Sequence, residues 1–280
     1  MRAAFLGPRG TFSEEALLAS APPGTDDVPY PTVYETVMAV QEGEVDCAIV
    51  PIENSLEGSV TATLDALAGE ARDVRISGEV VRPVTHNLIA SRPMPLTAVE
   101  RVLSHPQASA QCERFLRERM AGAVRASAPS TAEAVRLVSA SDEPWAALGS
   151  NLAAQLYGCH LLAEGVEDRS DNRTRFVWLA RAGEAAPARG GPYKTSVVFW
   201  GFNDESPGAL VDVLREFADR AVNLTKIESR PRRLGLGHYM FFVDLEGAAD
   251  QEPVSAALEA LAHRVEAIRL LGSYPAADPG

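Results

Sequence analysis

Several common chemistries lack their raw materials in this chain. It has only three cysteines, Cys47, Cys112 and Cys159, an odd number set far apart. They form neither a disulfide framework nor the close pairs of a zinc or iron–sulfur site. The five histidines, His86, His105, His160, His238 and His263, show no ligand spacing, so no metal is expected. Lysine is nearly absent: Lys194 and Lys226 are the only two, and 26 Lys+Arg against 38 Asp+Glu give a net charge of −12. With no basic run, nucleic acid is not an expected partner. No apolar run reaches the ~18 residues of a membrane span, so no membrane partner is expected either. The opening apolar stretch stops at Gly7-Pro8, too short for a secretion signal. A soluble cytoplasmic protein is expected. The 280 residues are 46% hydrophobic and 23% charged, an ordinary globular balance that suits one large or two modest domains.

The first two-thirds of the chain alternates short apolar runs with helical patterns. Strands are expected at Ala3–Leu6, Cys47–Val50, Val99–Leu103 and Trp145–Leu148, with helices after Thr11, near Val60–Leu67, around Ala108–Met120 and over Asn151–Tyr157. Such alternation points to α/β architecture with a mostly parallel sheet. Thr11 with Glu14 and Ser130 with Glu133 fit the capping-box pattern, and Ser59 and Ser150 also stand at helix starts. Helix N-termini at strand ends can line one crevice and bind anions there.

Arg181–Pro192, rich in Ala, Gly and Pro, reads as a linker. Beyond it, strand Thr195–Phe202, helix Pro207–Val222, strands Leu224–Ser229 and Tyr239–Leu245, helix Val254–Arg264 and strand Ala267–Leu271 follow in turn. This β-α-β-β-α-β order is the ferredoxin-like unit. Gly235-Leu236-Gly237 falls between two expected strands and reads as a hairpin turn rather than a nucleotide loop.

Polar residues gather where strands end. The stretches are Pro51-Ile52-Glu53-Asn54-Ser55 with Gly58-Ser59-Val60, Ser104-His105-Pro106-Gln107 with Gln111, and Asn172-Arg173-Thr174-Arg175-Phe176. Together they supply hydroxyl and amide donors and two arginines, without a catalytic His/Asp pair. That inventory suits an anionic, oxygen-rich small molecule, which guanidinium groups can grip in bidentate fashion.

These stretches, with Gly7-Pro8-Arg9-Gly10-Thr11-Phe12-Ser13 and Thr174-Arg175-Phe176, resemble the successive signatures of the prephenate dehydratase family. The second unit resembles its regulatory ACT domain: Gly208-Ala209-Leu210-Val211 and Glu228-Ser229-Arg230-Pro231 match two motifs associated there with phenylalanine. The resemblance implies a two-lobed, periplasmic-binding-protein-like α/β catalytic domain over residues 1–180, a linker at 181–193, a ferredoxin-like ACT domain at 194–274 and a tail at 275–280. No chorismate mutase domain is expected within this length.

The reaction so implied turns prephenate into phenylpyruvate by coupled decarboxylation and dehydration. Aromatisation drives it, so neither cofactor nor metal is implied. Thr174 is the implied donor to the leaving hydroxyl, with Glu53 as a candidate proton source and Asn54 and Gln111 beside it. Arg175 is the implied carboxylate anchor, and Ser104, Thr11, Ser55, Ser59 and Phe176 the further substrate contacts. For the effector L-phenylalanine the implied residues are Gly208, Ala209, Leu210, Asn223, Leu224 and Ser229. ACT-type pairing implies a homodimer or homotetramer. Arogenate as substrate, a non-catalytic amino-acid sensor and a solute-binding protein remain open readings.

Overall fold

The computed structural model describes residues 1–183, 191–202 and 206–277. Most of the expected linker, 184–190, and the end of the expected tail, 278–280, lie outside the described residues. The elements are β1 (Arg2–Leu6), α1 (Phe12–Ser20), β2 (Asp26–Tyr30), α2 (Val33–Gln41), β3 (Cys47–Asn54), β4 (Gly58–Ser59), α3 (Thr61–Ala68), β5 (Val74–Pro83), β6 (Asn87–Ala90), β7 (Arg101–Ser104), α4 (Pro106–Gln111), α5 (Glu113–Arg119), β8 (Val124–Ser127), α6 (Thr131–Ser139), β9 (Trp145–Gly149), α7 (Asn151–Leu156), β10 (His160–Ala163) and β11 (Arg173–Arg181). The second unit adds β12 (Tyr193–Trp200), α8 (Ala209–Ala218), β13 (Leu224–Pro231), β14 (Tyr239–Glu246), α9 (Val254–Ala262) and β15 (Ala267–Pro275).

The first unit has two lobes. One is built on strands in the order β2-β1-β3-β11-β5, the other on β8-β7-β9-β6-β10. β1 is covered on both faces, with Ala3, Ala4 and Phe5 all fully buried, and it pairs in parallel with β2 and β3. An uninterrupted apolar run is what such a central parallel strand requires. The expected mostly parallel sheet is corrected at the lobe boundary. The chain leaves the first lobe after β5 and returns as β11, which runs antiparallel to both β3 and β5. In the second lobe, β6 is likewise antiparallel to β9 and β10. The two crossings meet side by side, with the Val84 amide donating to the Asn172 carbonyl at 2.9 Å.

Local signals account for most helix starts. Thr11 accepts from the Glu14 amide at 3.3 Å, and Ser130 from the Glu133 amide at 3.0 Å. The reciprocal half of each capping box is spent elsewhere, Glu14 on the Gly10 amide and Glu133 on Arg136. Ser59 is not a cap: it lies in β4 opposite Glu53, and Val60 takes the cap position of α3 without a side-chain bond. The helix expected over Ala108–Met120 is broken at Cys112 into α4 and α5.

In the second unit the strand order β13-β14-β12-β15, all antiparallel, is that of a ferredoxin-like sheet. Alternation along β12 divides its labour: Val197 and Phe199 pack beneath α8 and α9, while Val198 points into the core that holds Leu64, Ile76 and Tyr274. The two units therefore share one hydrophobic core. Their sheets also meet, where Gly272 of β15 pairs with Ile76 of β5. A Cβ on Gly272 would lie 2.3 Å from the Ile76 carbonyl oxygen, so glycine is required there.

Candidate active site

A cavity of about 550 Å³ lies between the lobes, lined by both hinge crossings and by the starts of several helices. Thr11, Phe12 and Ser13 come from the start of α1, Val60, Thr61 and Ala62 from α3, His105 and Gln107 from α4, and Ser130 and Thr131 from α6. Four helix N-termini thus converge on one space. Each brings amides with no partner inside its helix and the positive end of its dipole. At α3 the cap residue, Val60, makes no side-chain bond to those amides. Among the described residues, no arginine or lysine lines the cavity.

Thr174 is set by strand register. It pairs directly with Asn54 of β3 and Arg82 of β5, which puts the three side chains on one face of the sheet. A bulge leaves Ile52 of β3 unpaired between Glu53 and Pro51. That extra residue lets both Pro51 and Asn54 face the cavity while Ile52 enters the core.

An amide network fixes the Thr174 hydroxyl. Asn54 Nδ2 donates to Thr174 Oγ1 at 2.9 Å and to Asn172 Oδ1 at 2.8 Å. Asn172 Nδ2 donates to Gln111 Oε1 at 3.0 Å, and Gln111 Nε2 donates to Glu57 Oε1 at 3.1 Å. The amides of Leu56 and Glu57 both donate to Asn54 Oδ1, which settles which way the Asn54 amide faces. His86 Nε2 lies 3.1 Å from Gln111 Oε1. Because that oxygen can only accept, Nε2 carries the proton and Nδ1 is bare. Burial holds the His86 ring below its ordinary pKa, so it is neutral near pH 7. Hydrogen bonds from Gln107 and then Gln111 hold the Glu57 carboxyl below the usual carboxylate range.

The implied residues therefore separate. Thr174, Asn54, Gln111, Thr11, Ser59 and Phe176 line the cavity together. Arg175 does not. One residue on from Thr174, it faces the opposite side of β11, where its guanidinium bonds Glu53 at 3.0 Å, Glu79 at 3.0 Å and Asp244 at 2.7 Å. Burial works against this charge, but Asp244, Tyr274, Glu79 and Glu53 outweigh it and hold the group firmly protonated. Glu79 also takes Lys194 at 2.7 Å, and Asp244 takes Ser196 at 2.6 Å. The expectations of Arg175 as carboxylate anchor and Glu53 as proton source are thereby corrected: period-two alternation turns both away from Thr174, into an ionic layer between the units.

Ser55 is committed to the hinge, accepting from the Arg173 amide at 2.9 Å. Ser104 is buried at the end of β7 outside the cavity lining, its hydroxyl without a partner among the described residues. His86, Asn172 and Glu57 line the cavity and were not anticipated. Asn172 stood inside a quoted stretch, but the hydrogen bonds that recruit His86 and Glu57 cross between segments and leave no local mark.

In the second unit, Gly208, Ala209 and Leu210 line a smaller cavity of about 350 Å³ with Phe202, Tyr239 and Phe241. Gly208 opens α8 at φ +88°. Asn223, Leu224 and Ser229 do not line that cavity. Ser229 lies on the exposed outer face of β13, and Leu224 packs toward the core beneath α8 and α9.

Comparison with known proteins identifies the family. The family model "Prephenate dehydratase" matches residues 3–184, and the ACT domain model matches residues 199–263. A prephenate dehydratase of Mycobacterium tuberculosis is 40% identical over 98% of this chain and 87% of its own length. The structure of prephenate dehydratase from Arthrobacter aurescens in complex with L-Phe superimposes with a TM-score of 0.90 at 40% identity, covering 100% of this chain and 92% of that one. A structure described as a novel type of quorum quenching acylase has a TM-score of 0.88 at 32% identity, covering 99% of this chain and 98% of its own. With the family model spanning most of its length and its inter-lobe cavity lined as described, the chain belongs to the prephenate dehydratase family.

Proposed function

We propose that the cleft converts prephenate to phenylpyruvate, a carbon–oxygen lyase reaction of phenylalanine biosynthesis, and that Thr174 assists the departing oxygen. The observation that carries this reading is the hydrogen bond from Asn54 to Thr174. A hydroxyl that accepts from an amide keeps its own proton to give away. In the reaction the bond from the ring to its carboxylate breaks, its electron pair moves through the ring, and the hydroxyl on the opposite carbon leaves as CO2 is released. Negative charge grows on that oxygen, and one well-aimed donor is worth about 3–4 kcal/mol against such charge. Threonine is far too weak an acid to ionise, so the departing hydroxide takes its proton from water while Thr174 stabilises it. Glu57 and neutral His86 are not acids at pH 7 and serve to fix Gln111.

The substrate's two carboxylates meet helix N-termini rather than a guanidinium. Convergent first-turn amides suit anions. The chain's net charge of −12 opposes the substrate only at long range, since screening cuts in at about 8–10 Å.

Acyl transfer would require a hydroxyl activated by a base. Neither cleft histidine is hydrogen-bonded to a hydroxyl: His86 meets Gln111, and His105 Nδ1 accepts from the Gln107 amide. The arrangement favours elimination.

We assign catalysis to residues 1–180 and regulation by L-phenylalanine to residues 194–274, working in the cytoplasm. Effector binding would use the amides at the start of α8, beside Gly208. Exposed Val211, Ile227, Leu236 and Tyr239 support pairing of second units in a homodimer or a tetramer. Intact protein should release phenylpyruvate from prephenate faster than it releases phenylalanine from arogenate, and added phenylalanine should change the rate. Absence of phenylpyruvate would refute the reading. Sedimentation of a monomer at assay concentration would refute the pairing.

A further inference from the structure

The inward face of β13 reaches across to the cleft. Alternate residues Lys226, Glu228 and Arg230 point toward the first unit, while Thr225, Ile227 and Ser229 point outward. Arg230 forks onto Asp65 of α3 at 3.2 and 2.8 Å, and Arg233 joins it at 2.7 Å. Lys226 Nζ lies 3.8 Å from Glu53 and is buried without a hydrogen-bond partner among the described residues. Between them, Ser59 Oγ donates to Glu228 Oε2 at 3.0 Å. One strand of the second unit thus holds β3, β4 and α3 at three successive points.

The Ser59 contact is chemically distinct from the other two, because Ser59 also lines the inter-lobe cavity. A serine hydroxyl has one proton and two lone pairs. While Glu228 takes that proton, Ser59 can offer the cleft only lone pairs, which repel an anion. Ser59 directly precedes Val60, the cap position of α3, which makes no side-chain bond to the first-turn amides. A hydroxyl beside an open helix N-terminus would add a donor to an anion cradle if its proton were turned inward.

We propose that Glu228 is a positioning residue of the cleft supplied by the second unit: it withholds the Ser59 proton and so weakens carboxylate binding. This rests on the prephenate reading above. Movement of β13 away from β4 releases Ser59, and the same movement loosens Lys226 from Glu53 and Arg230 from Asp65. Substrate and second unit therefore compete for one hydroxyl, and any ligand that shifts β13 changes substrate affinity by the reciprocity of linkage.

Steady-state kinetics of the full chain with prephenate test this. Glu228→Ala should lower KM by about three- to ten-fold, the worth of one recovered hydrogen bond, with the change carried by KM rather than kcat. Glu228→Gln keeps an acceptor for Ser59 and should fall between wild type and Glu228→Ala. In a Ser59→Ala background the Glu228→Ala effect should vanish, a coupling that a purely structural role would not produce. An unchanged or raised KM in Glu228→Ala, or the same fall in both backgrounds, would overturn the proposal. Wild-type protein that fails to turn over prephenate would instead sink the underlying reading.

Discussion

Thr174 and Arg175 are neighbours in the chain and face opposite sides of β11. The Thr174 hydroxyl accepts from Asn54 in the cleft, while the Arg175 guanidinium bonds Glu53, Glu79 and Asp244 in the ionic layer between the units. One dipeptide thus gives one side chain to the cleft, where the proposed reaction would use it, and the next to the assembly of the two units. Arg175→Ala leaves two nearly buried carboxylates, Glu79 and Asp244, without this partner. Breaking such a pair typically costs about 3–5 kcal/mol. The variant should melt well below wild type in calorimetry, and the folded fraction should keep its KM for prephenate. A wild-type melting temperature with a greatly raised KM would return Arg175 to the substrate.

Asn54 aims the Thr174 proton through one side-chain amide. Asn54→Asp preserves the acceptor for the Leu56 and Glu57 amides but removes the donor to Thr174. Its kcat should fall by about 10²-fold with a circular-dichroism spectrum like wild type, since an oriented donor of this kind is worth that much. An unaltered kcat would mean that Thr174 needs no orientation.

Burial of His86 should make the protein sensitive to acid. Burial lowers its folded-state pKa below the unfolded value of 6.5, so in mildly acidic solution the unfolded chain binds more protons than the folded one. Stability present above pH 6.5 is lost as pH falls through the folded-state value. His86→Gln, which can still donate to Gln111, should flatten the melting temperature against pH over that range. A slope unchanged from wild type would assign the acid response to other groups.

Gly272→Ala should loosen the junction of the two units. Its Cβ would lie 2.3 Å from the Ile76 carbonyl oxygen, and relieving such overpacking costs about 1–3 kcal/mol. A lower melting temperature, or two unfolding transitions in place of one, is the expected result. A stability equal to wild type would show that β15 and β5 do not need this close approach.

Much of the architecture was legible because periodicity and caps are local. The central strands β1, β3 and β9, the caps at Thr11, Ser130 and Ser150, and the ferredoxin-like order of the second unit all follow from residues within one turn or strand. The site was legible in part. Asn54, Gln111 and Thr174 do share one hydrogen-bonded network, through Asn172. Glu53 and Arg175 were misplaced by strand parity. Strand alternation decides whether Glu53 and Arg175 face the cleft, and that parity depends on register and on the bulge at Ile52, neither of which is written in the sequence locally. His86 was hidden for another reason, because it acts through Gln111, 25 positions away. The anion grip was anticipated in kind, at helix starts, but was also credited to an arginine that the ionic layer claims.

The rate of phenylpyruvate formation from saturating prephenate, in wild type and Thr174→Ala, bears on the central claim most directly. The cleft geometry predicts ready turnover by wild type and a loss of about 10²–10³-fold in kcat for the variant, with KM little changed. A Thr174→Ala enzyme as fast as wild type would contradict it.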